Sequence, residues 1–122
     1  MKLQHLTPVL LVKDAKKSSE FYTNVLGLKI KADFGGLNYI FEEGLAVWQP
    51  MEENIIPRKL GMDNITDATA TSRFELCFET MDLDGDYAKL NAYGVKFLHQ
   101  INEELWGQRT SRFYDPDGPL VE

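Results

Sequence analysis

Two glutamates set the chemistry that this sequence could perform. Glu122 ends the fragment "TSRFYDPDGPLVE". Its Asp-Pro-Asp-Gly core is a turn by composition: Pro116 fixes φ, the aspartates bond the local backbone, and Gly118 supplies a position with φ > 0. Strand-like runs flank that turn, so the fragment predicts a hairpin whose second strand ends in a carboxylate. Glu75 lies in "RFELCFET", where Arg73, Glu75, Cys77 and Glu79 alternate with Phe74, Leu76 and Phe78. The apolar set predicts the face packed on helices, which leaves Glu75 on the opposite face. There it could ligate a metal, act as a general base, or pair with Arg73, Arg109 or Arg112. A carboxylate in apolar surroundings has a raised pKa unless it is paired.

Other reactive groups are sparse. Cys77 shares the face of Glu75, but a nucleophilic thiol needs a base or a positive environment. Only His5 and His99 could supply an imidazole, and no spacing brings either to Cys77, so the expectation is a buried, inert thiol. His5 reads as a rim or surface residue. "DLDGD", from Asp82 to Asp86, has the wrong glycine position for a calcium loop and Tyr93 where a glutamate is needed. It reads instead as a helix start, where the macrodipole favours carboxylates. "FGGL" lacks the strand–turn–helix context of a phosphate loop and reads as a turn.

These groups are positioned by elements that occur twice. "TPVLLVKDAKKSSEFYTNVLGLKI" and "FELCFETMDLDGDYAKLNAYGVKFL" each begin with an apolar strand that meets an aspartate, Asp14 or Asp82, at a helix N-cap position. A short helix follows and stops at Gly27 or Gly94, where a left-handed residue is expected. Cap to glycine spans 13 residues in the first copy and 12 in the second. Further strands come next: "LNYIFEE" and "LAVWQP" in the first copy, "TSRFY" and "PLVE" in the second. The chain therefore predicts an α+β fold of two tandem βαβββ units in a single domain over 1–122. Repeat one covers about 1–50, a connecting stretch about 51–72, and repeat two about 73–122. The connecting stretch is long for a compact domain and suits a flap, a dimer arm or a disordered linker.

Composition narrows the class. The chain has 122 residues, enough to bury a core unaided, with 43% hydrophobic and 26% charged residues. No apolar run reaches the length of a membrane span. "MKLQHLTPVLLVKD" runs into charge without a small-residue cleavage site, so it reads as a strand rather than a signal peptide. A lone cysteine excludes an internal disulfide and suits a cytoplasmic location. The net charge is -6 and the basic residues are scattered, which argues against a nucleic-acid partner.

"VKDAKKSSEFYTNVLGL", "FETMDLDGDYAKLNAYGVKF" and "WGQRTSRFYDPDGPLVE" occur in this order, and on them the chain resembles the vicinal oxygen chelate superfamily. That superfamily includes glyoxalase I, extradiol dioxygenases, and bleomycin and fosfomycin resistance proteins. The resemblance implies a cupped mixed sheet with the site on its concave face, and a homodimer. In the metal enzymes, four inward side chains from the first and last strand of each unit hold a divalent ion, which stabilises an enolate-like charge.

Carried over residue by residue, the resemblance places the first ligand position at Thr7, a poor ligand for such an ion. The second falls between Val47 and Gln49, where only Gln49 could coordinate and Trp48 is better suited as a flat wall for a ligand. The third is Glu75 and the fourth Glu122, with Glu75 the best candidate for a catalytic group. Thr7 thus breaks the set. The resemblance then implies a metal-independent small-molecule-binding protein of the bleomycin-resistance type, its pocket lined by Thr7, Tyr39, Phe41, Trp48, Glu75, Trp106, Arg109, Phe113 and Glu122. The alternative is a glyoxalase-like lyase or isomerase that holds nickel, zinc, manganese or iron through Glu75 and Glu122, with Gln49 a weak third ligand.

Overall fold

The computed structural model describes residues 1–66 and 74–122. Arg73 and the 67–72 part of the connecting stretch lie outside the described residues. The fold is α+β, with two compact units, Met1–Thr66 and Asp67–Glu122, each carrying a four-stranded mixed sheet.

The first unit runs β1 (Val9–Leu11), α1 (Ala15–Glu20), which continues through a π-helical turn (Phe21–Val25), β2 (Ile30–Phe34), β3 (Asn38–Phe41) and β4 (Ala46–Trp48). The sheet order is β1-β4-β3-β2, with β1 parallel to β4 and the other pairs antiparallel. Asp14 caps α1 by accepting the Lys17 N–H at 3.1 Å, and Gly27, at φ 75°, ends the helical segment. Strand alternation sends Leu10, Val12, Tyr39, Phe41 and Val47 to one face, where all five are buried together with Phe21 and Tyr22 of the helix. The Tyr22 and Phe41 rings lie 5.8 Å apart in that layer. Burial of each such side chain stabilises the unit by about 1.5–3 kcal/mol.

The stretch that follows holds two short helices, α2 (Ile55–Leu60) and α3 (Met62–Thr66). Pro57 hid the first of them in the sequence. It sits in the opening turn, where its missing N–H breaks no helical bond.

The second unit repeats the plan as β5 (Glu75–Leu76), α4 (Leu83–Tyr93), β6 (Lys96–Glu103), β7 (Arg109–Tyr114) and β8 (Leu120–Val121), in the order β5-β8-β7-β6. Asp82 caps α4 by accepting the Gly85 N–H at 3.0 Å. A Cβ on Gly85 would stand 2.1 Å from that carboxylate, so a larger residue there would displace the Asp82 side chain from its present capping position. The helix ends at Gly94 with φ 78°. Phe97, Phe113 and Val121 line the sheet face under α4, where the Tyr87 and Phe97 rings lie 4.7 Å apart.

Backbone wiring confirms the repeat. Val12 N–H donates to the Trp48 carbonyl and Phe78 N–H to the Glu122 carbonyl, each at 2.8 Å. The Glu43–Gly44 and Asp115–Gly118 turns close in the same way: Gly44 N–H reaches the Phe41 carbonyl and Gly118 N–H the Asp115 carbonyl, both at 3.0 Å. Trp48 and Glu122 therefore hold equivalent stations, and by strand register so do Asn38 and Arg112. Among the described residues, no helix is long and apolar enough to cross a membrane.

Candidate functional site

The open face of the second unit, opposite α4, carries a compact polar cluster around Arg112. Register explains its membership. Glu75 pairs with Leu120 and Leu76 with Val121, so Cys77 falls opposite Glu122; Phe113 pairs with Val121, so Arg112 falls beside Glu122. Alternation then puts Glu75, Cys77, Glu122 and Arg112 on one face.

Arg112 is gripped on every side. Its Nε donates to Glu75 Oε2 at 2.9 Å, Nη1 to Glu104 Oε1 at 2.9 Å, and Nη2 to Glu122 Oε2 at 2.5 Å. Nη1 also meets His99 Nε2 at 3.2 Å. Because His99 Nδ1 donates to the Gln100 carbonyl at 2.6 Å, Nε2 is the acceptor in that contact. The side chains of Arg112, Glu104 and Glu122 keep 19%, 15% and 14% of their exposure, whereas Glu75 keeps 36%. Water screens the first three only partly, so the pairs are stronger than surface ion pairs.

Electrostatics follow from this geometry. Bonds to Glu104 and Glu75 hold the Arg112 guanidinium well above its ordinary pKa. Glu104 is held below the usual carboxylate range, first by the hydroxyl of Thr110, which donates to Oε1 at 2.7 Å, and then by Arg112. Cys77 donates to Glu122 Oε1 at 3.4 Å. Partial desolvation against the sheet raises the thiol pKa, and the bond to Glu122 and the neighbouring carboxylates raise it further. Cys77 is exposed, contrary to the buried position its sequence suggested, because β5 is an edge strand that ends at Leu76. Its protonated state nevertheless leaves it a weak nucleophile.

His99 and Glu104 had no signal in the sequence. Phe97 and His99 would share a face in a regular strand, yet Phe97 pairs with Phe113 and His99 with Arg112. A bulge between them turns His99 to the open face. Glu104 lies where β6 enters the turn to β7, with its N–H bonded to the Gln108 carbonyl at 2.7 Å.

The remaining predicted residues fall elsewhere. Arg109 forms a separate exposed ion pair with Asp84 at 2.8 Å. Trp106 sits in the β6–β7 turn, 64% exposed, with its indole N–H bonded to Gln108 Oε1 at 2.7 Å. Phe113 is buried on the α4 side of its sheet, and Tyr39 and Phe41 are buried on the α1 side of theirs. In the first unit, Trp48 is half-buried on the face away from α1, beside Asn38, whose Oδ1 is buried without a partner. Gln49 is occupied at the start of α1, where its Oε1 accepts the Ala15 N–H at 3.0 Å. Thr7 and His5 are exposed ahead of β1.

The donor set does not fit a divalent ion. Glu75 and Glu122 each spend an oxygen on the guanidinium between them. Hydrogen bonds of 2.5–2.9 Å to a planar cation hold these carboxylates farther apart than metal–oxygen bonds of about 2.0–2.2 Å would. Among the described residues, no three His, Cys, Asp or Glu side chains lie close enough to share one ion.

Comparison with known proteins gives a consistent picture. The family model described as Glyoxalase-like domain matches residues 5–122. The Bacillus subtilis protein YraH is 33% identical over 116 residues, covering 93% of this chain and 91% of YraH. A crystal structure of a protein of unknown function from Agrobacterium tumefaciens strain C58 aligns with a TM-score of 0.82 at 31% identity, covering 99% of this chain and 92% of that one. A bleomycin resistance determinant encoded on the transposon Tn5 aligns with a TM-score of 0.69 at 22% identity, covering 98% and 94% of the two chains.

Proposed function

The chain belongs to the glyoxalase-like domain family of the vicinal oxygen chelate superfamily, and from that premise we propose that it binds a small molecule without a metal, in the manner of the bleomycin-resistance type. One observation carries the reading. The two carboxylates at the ligand positions, Glu75 and Glu122, are both committed to Arg112. With its cation supplied by a side chain, the site offers recognition rather than Lewis-acid chemistry.

Each unit's open face, taken by itself, offers groups that a ligand can use. That of the first unit presents Trp48, a flat apolar wall. That of the second unit presents the acidic rim of the Arg112 cluster. A flat aromatic wall such as Trp48 suits a planar or amphipathic compound. Sequestration of such a compound, by a homodimer of single-domain chains in the cytoplasm, is the activity we infer.

A fluorescence panel of planar and amphipathic compounds, bleomycin-like drugs included, tests it. Saturable quenching that Trp48→Phe abolishes is expected. Unchanged emission from Trp48 and Trp106 across the panel would remove the reading.

A further inference from the structure

We propose that His99 is a proton-operated latch on Arg112, which sets how many of the guanidinium donors are held inside the cluster. The inference concerns the face that the reading above assigns to ligands, but it goes beyond that reading and rests on side-chain geometry alone.

The neutral imidazole is fixed at both nitrogens. Nδ1 donates to the Gln100 carbonyl at 2.6 Å, an oxygen that can only accept, and Nε2 accepts from Arg112 Nη1 at 3.2 Å. A proton taken up by this ring therefore has one place to go, which is Nε2. There the new N–H faces the Nη1 hydrogens, and two positive groups meet with no acceptor between them.

The nearest carboxylate oxygen cannot serve both. Glu104 Oε1 already receives Nη1 at 2.9 Å and the Thr110 hydroxyl at 2.7 Å, which occupies the lone pairs of that oxygen. The charge of a protonated His99 acts on the same carboxylate and helps to hold it ionised. The protonated ring thus competes with Nη1 for Glu104. Arg112 stays seated through Nε on Glu75 at 2.9 Å and Nη2 on Glu122 at 2.5 Å, and Nη1 is the donor that gives way.

Each neighbouring element supplies a charged group to this junction. β6 is an edge strand with β7 as its neighbour, and β7 places Arg112 opposite His99. Ser111 adds a neutral hydroxyl, which donates to the His99 carbonyl at 3.2 Å. Glu104 comes from the β6–β7 turn. Beyond Arg112 stand Glu75 on β5 and Glu122 after β8, with Cys77 bonded to Glu122. On β6 itself Lys96 and Glu103 hold the two ends, and Lys96 lies over the Tyr114 ring. Histidines change charge between about pH 5 and 8, where ordinary carboxylates stay ionised, so the latch operates with its acidic partners intact.

The test uses the nitrogen-15-labelled full chain without any ligand, followed by NMR from about pH 8 to about pH 5. The His99 ring nitrogens and the Arg112 Nη1 hydrogens should shift with one midpoint. At the acid end the Nη1 hydrogens should exchange with water several-fold faster, while the Nε hydrogen changes less. His99→Gln presents a neutral acceptor at every pH and should remove the response. His5→Gln alters the other histidine of the chain and should leave the response intact. Arg112 signals that stay flat while His99 titrates would overturn the proposal, as would a response that survives His99→Gln. A ring that takes up no proton above about pH 5 would overturn it too. If His99→Gln fails to fold, the parent titration decides by itself. Failure of the compound panel would remove the ligand reading and leave this latch standing, since no ligand enters the experiment.

Discussion

Arg112 Nη2 and Glu122 Oε2 meet at 2.5 Å across neighbouring strands, which ties Glu122 to the centre of the second sheet. The Glu122 backbone is tied as well: its N–H donates to the Leu76 carbonyl and its carbonyl accepts from Phe78 N–H, each at 2.8 Å. Three bonds therefore hold Glu122 in place.

Unequal exposure predicts unequal costs for the carboxylates. Glu122→Gln leaves a mostly buried guanidinium short of charge and should destabilise by about 2 kcal/mol. Glu75→Gln removes a more exposed partner and should cost under about 1 kcal/mol. Urea denaturation of the two variants checks the order, and equal values would refute the exposure argument.

Acid should unfold the protein partly through Glu104. Its folded pKa is depressed, so the folded state binds fewer protons than the unfolded state. The stabilisation is complete above the ordinary carboxylate value of about 4.3 and is lost as pH falls through the depressed one. Melting temperatures from neutral pH down through that range should fall less steeply in Glu104→Gln than in the parent.

Cys77 should alkylate slowly despite its exposure. At neutral pH its raised pKa leaves less thiolate than a free cysteine has. Glu122→Gln removes a hydrogen bond and a charge that favour the thiol form, so iodoacetamide should then react several-fold faster. An unchanged rate would mean that Glu122 does not govern the thiol.

Exposed ion pairs give a control. Arg109→Gln breaks the bond to Asp84 while both side chains are largely in water, and the melting temperature should not move measurably.

Much of the fold was legible because it follows local rules. Asp14, Asp82, Gly27 and Gly94 act through backbone geometry within a few residues, and each holds the cap or stop that its type implied. Side-chain periodicity in "RFELCFET" likewise placed Glu75 and Cys77 on one face. Aromatic residues were less informative. Tyr39, Phe41 and Phe113 are large apolar groups suited equally to a pocket or a core, and alternation from their strand partners puts them on the helix side. His99 was legible only as an imidazole without a partner, because a bulge breaks the period that would have placed it beside Arg112. Arg112 was one of three possible partners for Glu75, and only pairing between distant strands distinguishes it from Arg109.

The repeated wiring of the two units has a consequence for how such a protein can change. At three equivalent stations, Val9, Asn38 and Trp48 in the first unit stand where Glu75, Arg112 and Glu122 stand in the second, so a neutral face and a charged one share one pattern of strand pairing. A scaffold that states its backbone twice keeps a spare copy of its working surface. The chemistry of one face can therefore be altered by side chains alone, with no change of fold.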